Sequence, residues 1–192
     1  MEKPNGTYSY DALAESATLS GRHIETFGVC GKNFDVRFDI QKDPISDKAE
    51  CGFFWGLTAY ERVSLLGKKR PALRMGAVFL VWSDEPVHGH GDHWNDRMAR
   101  FHEWQVDARD GASLFSGAFG SWDTPDLQSY SVEVKVREGA FESLSVNGNQ
   151  IGTAEDMRVT PNYRELVGQE FGLVSQRGMC RITNFEITEL DP

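Results

Sequence analysis

The 192-residue sequence lacks the features that mark several large classes of protein. It contains no apolar run close to the roughly 20 residues that a membrane-spanning helix needs, so we expect no membrane partner. It also has no basic excess, because 20 Lys and Arg stand against 29 Asp and Glu for a net charge of -9. Nucleic acids bind chiefly through phosphate contacts to Lys and Arg, so this balance predicts no nucleic-acid partner. The net negative charge fits a neutral or cationic ligand better than a polyanion.

Cysteine is scarce, and the short motifs of nucleotide and serine-hydrolase chemistry are missing. No Walker loop, Gly-x-Gly-x-x-Gly fingerprint or Gly-x-Ser-x-Gly elbow occurs. The three cysteines, Cys30, Cys51 and Cys180, are odd in number and widely spaced. This spacing fits neither a disulfide scaffold nor a cysteine-based zinc motif. We therefore expect small buried thiols, with a single disulfide bridge as the alternative.

The length and the amino terminus bound the organisation of the chain. A chain of this size predicts one domain, residues 1–192, with a core of ordinary size. The first six residues do not form the charged and then apolar segment of a secretory leader. Two compartments stay open: the cytoplasm, or the outside of the cell after removal of a leader.

Alternation with a period of two dominates the hydrophobic pattern. Residues 33–40 and 130–137 place apolar side chains at even positions and polar side chains at odd ones, which indicates strands with one buried face. Asn147-Gly148, just after a similar segment, is the strongest short signal for a hairpin turn. Residues 51–58 and 75–82 are continuous apolar runs, typical of strands buried on both faces.

The fold class follows from counting these segments. About ten strands are separated by turn signals, and only residues 11–17 and 162–167 suggest short helices. This pattern predicts an all-β protein, an antiparallel β-sandwich or barrel with one or two short helices.

A family resemblance rests on the carboxy-terminal third and on the strand at residues 34–38. The order of segments is Tyr130 to Val136, then Ser145 to Ile151 around the Asn-Gly turn, then Phe171 to Val174, then Arg181 to Leu190 with its Thr183-Asn184-Phe185 motif. This order resembles the closing strands of concanavalin A-like jelly rolls, the lectin and glucanase superfamily. Within it, the nearest resemblance is to 3-keto-disaccharide hydrolase-type domains and laminin-G-like modules. The resemblance implies two stacked antiparallel sheets with a curved face that binds glycans in relatives.

The segment Val87 to Trp94 is the most conspicuous local motif. It contains His88, His90, Asp92 and His93, in the His-x-His-x-Asp-His order of metallo-β-lactamase-like hydrolases. That family also needs later histidine ligands and alternating helices, and this chain has only His102 beyond the motif. A local divalent metal site for Zn or Ca on these four residues is one hypothesis, with His90 and His93 also able to serve as catalytic bases. A polar loop is the other.

Carboxylates on the strand at residues 101–108 form a second candidate. Glu103 and Asp107 lie on the same side, opposite His102 and Trp104. They are about 13 Å apart by strand rise, farther than either glycosidase geometry requires. Glu103 is therefore a candidate acid only with a partner on another strand, and the alternative is that it faces solvent.

Indole rings and one arginine complete the set of candidate ligand-binding residues. Trp55 and Trp82 lie in apolar runs and are expected in the core, whereas Trp94, Trp104 and Trp122 suit sugar stacking and core packing equally. Arg74 lies in an apolar strand and is expected to pair with a carboxylate or to face a cleft.

Three functions follow as hypotheses. The first is a carbohydrate-binding β-sandwich that holds a glycan or glycoside on its curved face through Arg74, Trp94, Trp104 and Trp122. The second is a glycoside hydrolase or lyase on the same scaffold, with His90 or His93 as base or metal ligand and Glu103 as acid. The third is a protein-interaction module without a small ligand.

Overall fold

Two seven-stranded sheets account for almost all regular structure in the computed structural model. The structure describes residues 6–63, 67–83, 97–107, 113–159, 166 and 168–190. In chain order the strands are β1 (Thr7–Asp11), β2 (Ser16–Ser20), β3 (His23–Val29), β4 (Phe34–Lys42), β5 (Ala49–Val63), β6 (Lys69–Trp82), β7 (Arg97–Asp107), β8 (Ser113–Asp123), β9 (Ser129–Arg137), β10 (Ala140–Val146), β11 (Asn149–Thr153), β12 (Arg158–Val159), β13 (Glu170–Arg177) and β14 (Met179–Glu189). Within these ranges the one helical element is a 3₁₀ turn, Ala154–Asp156.

Every pairing between neighbouring strands is antiparallel. Sheet A has the order β1-β2-β14-β4-β9-β10-β11, and sheet B has the order β12-β8-β7-β6-β5-β13-β3. The all-β sandwich expected from the alternating segments is confirmed. Among the described residues, no helix is long and apolar enough to cross a bilayer.

The main core lies between the two sheets and is rich in aromatic rings. Trp55 of sheet B stacks on Phe101, whose ring stacks in turn on Phe141 of sheet A at 4.8 Å between centroids. The strict alternation in β4 places Phe34, Val36, Phe38 and Ile40 in this core while the residues between them face outward. Burial of these side chains is the main stabilising term of the fold.

The Asn147-Gly148 hairpin is confirmed by its backbone angles. Asn147 has φ 51° and Gly148 has φ 77°, the two positive values that a type I′ turn requires. The turn joins β10 and β11 at the edge of sheet A. The Asn-Gly sequence favours this turn, and two hydrogen bonds also hold it against β9: the Ser131 N–H donates to Asn147 Oδ1 at 2.9 Å, and the Asn147 N–H donates to the Ser131 carbonyl at 2.8 Å.

The helix expected over residues 11–17 is wrong. This segment is the turn of the β1–β2 hairpin, because the Asp11 carboxylate accepts hydrogen bonds from the backbone N–H groups of Leu13 and Ala14. A side chain that bonds its own backbone two or three residues ahead favours a turn over a helix. The second expected helix, residues 162–167, lies outside the described residues except for Leu166.

The expectation of free thiols is also wrong for two of the three cysteines. Cys51 in β5 and Cys180 in β14 form a disulfide that joins sheet B to sheet A across the core. The two residues are 129 positions apart in sequence, so their spacing gives no sign that opposed strands bring them together. Cys30 is free and buried, as expected.

Candidate functional site

Arg74 and Glu103, two of the residues singled out from sequence, lie next to each other in the structure. They belong to the neighbouring strands β6 and β7, and the Arg74 Nε atom is 3.5 Å from Glu103 Oε1. The ion pair expected for Arg74 is therefore present. Next to it, the Tyr60 hydroxyl donates a hydrogen bond to the side-chain oxygen of buried Gln105.

Glu103 does not face solvent, so that expectation is wrong. Its side chain is 0% exposed, because it shares a strand face with Ala99 and Phe101, which belong to the core between the sheets. A buried carboxylate that faces a guanidinium is a common structural ion pair. A catalytic role for Glu103 stays a prediction.

Trp104 lies on the opposite face of β7 from Glu103, because successive strand residues alternate. Its indole is 3% exposed and meets the edge of Phe79 at 5.3 Å between centroids. Of the two alternatives left open for this ring, the structure favours packing. A shared site that contains both Glu103 and Trp104 is not formed.

Trp122 is a partly buried residue that packs against the main core. Its ring stacks on Phe141 at 5.7 Å between centroids. A Cβ atom at Gly152 would lie 2.3 Å from the indole, so a glycine on the opposite sheet makes room for the ring. The structure favours packing here as well.

The proposed metal ligands His88, His90, Asp92 and His93, together with Trp94, lie outside the described residues. Their metal-binding and catalytic roles stay predictions. In the part of the chain that the structure covers, no group of three or more His, Cys, Asp or Glu side chains is arranged to hold a metal ion.

The outer face of sheet B carries a second apolar cluster and a group of charged residues. The apolar residues include Phe54, Met75, Phe79 and Met98, all buried. The charged residues are Glu50 with Arg100 and Arg177, beside His102. Burial and the nearby Arg100 lower the pKa of His102 to about 3, so its imidazole is neutral at physiological pH.

An open cleft of about 420 Å³ lies where the two sheets end side by side, at the edge strands β1 and β3. Ala17, Leu173 and Ile182, inner-face residues of the core, line its apolar floor. Its walls are aromatic, with Tyr8 and Tyr10 from β1 and Phe27 from β3. The rings of Tyr8 and Phe27 lie 6.2 Å apart across the gap between the sheets.

These aromatic side chains are unusually accessible for residues on an inner face. Tyr10 is 58% exposed and Phe27 is 41% exposed. They are accessible because β1 and β3 are edge strands, so no further strand covers them in either sheet. The cleft therefore presents aromatic rings to solvent without disturbing the core behind them.

Polar groups also line the cleft. Glu15 enters from the β1–β2 turn, where its φ of 45° is a left-handed conformation that costs a non-glycine residue about 1 kcal/mol. Asn184 also lines the cleft and donates a hydrogen bond to Asp39 at 2.6 Å. Burial and the neighbouring Glu25 carboxylate raise the pKa of Tyr8, so its hydroxyl keeps its proton.

A second depression, of about 430 Å³, lies on the outer face of sheet A and has a different character. Asp39, Gln41, Ser131 and Arg181 line it, and Tyr130, its aromatic residue, is buried in the core. Its described lining therefore has hydrogen-bonding groups but no exposed ring. Of the two depressions, the cleft between the sheet edges is the stronger candidate for a functional site.

Sequence reasoning missed this cleft. Tyr8, Tyr10 and Phe27 are absent from the candidate residues of the sequence analysis. The signal that could have found them is the alternation Tyr8-Ser9-Tyr10, which places both rings on one face of a strand. Phe185 of the Thr183-Asn184-Phe185 motif also lines the cleft.

No family model matches the sequence, and no curated protein matches it. Solved structures do. A GH43 glycoside hydrolase with an engineered active site matches with a TM-score of 0.50 and 12% identity over 96% of this chain and 36% of that chain. The carbohydrate-binding module CBM66 from Bacillus subtilis matches with a TM-score of 0.49 and 10% identity, covering 96% of this chain and 92% of that one. Sheep galectin-11 matches with a TM-score of 0.44 and 9% identity, covering 88% and 98%.

At such low identity these likenesses speak to the fold alone. The GH43 match, with its TM-score of 0.50, agrees with the two antiparallel sheets and with the resemblance seen in the closing strands. The chain has the concanavalin A-like jelly-roll fold.

Proposed function

We propose that this protein is a glycan-binding β-sandwich that holds an uncharged part of a sugar chain in the cleft between β1 and β3. The observation that carries the proposal is the pair of accessible rings, Tyr10 and Phe27, on the walls of that cleft. The volume of about 420 Å³ lies within the range of small-molecule sites.

The chemistry of the cleft suits a sugar better than a purely apolar ligand. A pyranose has one apolar face, which an aromatic ring can cover, and a rim of hydroxyl groups that need hydrogen-bond partners. The Glu15 carboxylate can accept hydrogen bonds from such hydroxyls, and the hydroxyl of Tyr10 can donate or accept. No basic side chain lines the cleft among the described residues, which favours a neutral ligand over an anionic one.

The shared fold supports the choice of ligand class without deciding it. The GH43 protein with the same sandwich is a glycoside hydrolase, and one fold serves many functions. A glycan is therefore the first class of ligand to test, and the cleft is the first place to look for it. Glycoside hydrolysis generally needs two carboxylates, and Glu15 is the one carboxylate in the described lining of the cleft. We therefore propose that the cleft binds a glycan and does not hydrolyse it.

The test is a glycan array with the full chain, followed by calorimetric titration of the strongest hit. Tyr10→Ala and Phe27→Ala should each weaken binding about tenfold, because each removes a stacking surface. Ile45→Ala is the matched control, since Ile45 is 87% exposed and lies outside the cleft lining. Circular dichroism should show that all three variants are folded.

Two results would overturn the proposal. An array on which the unmodified protein binds no glycan would favour the protein-interaction hypothesis. Binding that both cleft variants retain at full strength would place the glycan elsewhere on the molecule.

A further inference from the structure

Three charged residues on the outer face of sheet B form a compact group with unequal charge. Arg177 of β13 lies opposite Glu50 of β5 in the strand register, and its Nε atom is 3.2 Å from Glu50 Oε2. Arg100 reaches the other carboxylate oxygen, Oε1, from β7. Two guanidinium groups thus share one carboxylate, and the group carries one excess positive charge.

Nothing among the described residues balances this charge. Glu50 is the one acidic residue that forms an ion pair with either arginine in the described part of the chain. The pKa of Arg100 is lowered to about 10 by burial and by Arg177, and it still keeps Arg100 charged at neutral pH. The neighbouring His102 is neutral. In a protein of net charge -9, this is a local reversal of sign.

Among the described residues, the Arg100 Nε–H group also lacks an acceptor. Its nitrogen is buried, and in the region that the structure describes no oxygen accepts its hydrogen. A buried donor without a partner costs free energy, which an added acceptor would recover. Arg177 is 41% exposed, so a ligand has access to the group from solvent.

We propose that Glu50, Arg100 and Arg177 form a subsite for an oxyanion group, such as the carboxylate of an acidic sugar or a small inorganic oxyanion. Guanidinium groups bind such oxygens through paired, charge-assisted hydrogen bonds. Glu50 holds both side chains in place, and the excess positive charge attracts the ligand. The subsite lies on the face of sheet B that points away from the core, whereas the aromatic cleft is lined by inner-face residues such as Leu173. The two proposals therefore stand or fall separately.

The test is calorimetric titration of the full chain at low ionic strength with three probes: glucuronate, glucose and inorganic sulfate. Glucuronate should bind measurably more tightly than glucose, and added salt should weaken it. If sulfate binds as tightly as glucuronate, the subsite recognises the oxyanion alone. If glucuronate binds more tightly than sulfate, the sugar ring also contributes.

Variants link the binding to these residues. Arg177→Gln should weaken glucuronate binding about tenfold, because it removes one of two guanidinium groups. Glu50→Gln should strengthen binding if the variant folds, and Arg177→Gln alone carries the test if it does not. Arg37→Gln is the matched control, because Arg37 also pairs with a carboxylate, Glu133, but lies on sheet A.

Equal affinity for glucuronate and glucose would overturn the subsite, and so would the absence of any anion binding. An equal loss in Arg177→Gln and Arg37→Gln would show that only the overall charge matters. Binding of an uncharged glycan in the cleft is tested separately, by the Tyr10→Ala and Phe27→Ala variants, which leave Glu50, Arg100 and Arg177 unchanged.

Discussion

The outer faces of the two sheets differ, although both sheets share one core. On sheet A the outer face is polar, with pairs such as Arg37 and Glu133 open to solvent. On sheet B the outer face holds buried apolar side chains, including Phe79 and Trp104. The difference shows why a tryptophan such as Trp104, which alternates with polar residues along its strand, is weak evidence for a binding site. Alternation of this kind also occurs in β7, where both faces of the strand are buried.

The largest expected effect on stability comes from removing the disulfide in the core between the two sheets. Cys51→Ala with Cys180→Ala should lower the free energy of unfolding by roughly 5 kcal/mol, because a bridge across 129 positions strongly restricts the unfolded chain. Urea denaturation measures the change. Cys30→Ala, which removes a free thiol, is the control. A loss below about 1 kcal/mol in the double variant would mean that the bridge does not hold the sheets together.

Trp104→Ala tests whether the outer face of sheet B is packed. Because the indole is 3% exposed and in contact with Phe79, its removal should cost about 3–5 kcal/mol. The same denaturation experiment gives the value. An unchanged midpoint would mean that the ring is accessible in solution, and would restore Trp104 as a candidate for sugar stacking.

His102 should make stability depend on pH. Its folded pKa of about 3 lies below the usual histidine pKa of 6.5, so between these values the unfolded chain takes up a proton that the folded chain does not. This contribution is fully present above pH 6.5 and is lost as the pH falls toward 3, at about 1.4 kcal/mol per unit. Denaturation across this range should show a flatter curve for His102→Gln than for the unmodified protein. Parallel curves would contradict burial of a neutral imidazole.

The smallest effect is expected on the outer face of sheet A. Arg37→Gln removes an exposed ion pair with Glu133, which water and salt already screen. The urea midpoint should stay within experimental error of the original. A clear loss of stability would remove the contrast between the two outer faces.

Much of the fold is predictable from local sequence. The alternation over residues 33–40 and the Asn147-Gly148 turn are local signals, so the side-chain period predicts the strand and the backbone preference predicts the hairpin. The Cys51–Cys180 bridge could not be predicted, since it depends on how two strands 129 residues apart are opposed. The hairpin turn after Tyr10 was missed because a side-chain bond from Asp11 outweighs helix propensity.

The site was less predictable than the fold. A carboxylate partner for Arg74 could be expected, because a charged residue in an apolar strand needs one, but its identity as Glu103 could not. The cleft could not be predicted from the sequence, because Tyr10 and Phe27 become accessible only through the positions of β1 and β3 at the sheet edges. Strand order is a property of the whole chain, and no local pattern contains it.

The most direct measurement is an aromatic ¹H–¹³C NMR titration of the full chain with the strongest glycan from the array. We expect the largest shift changes in the rings of Tyr8, Tyr10 and Phe27, with little change at Trp104. Changes concentrated at other rings, with those three unmoved, would contradict glycan binding in the cleft.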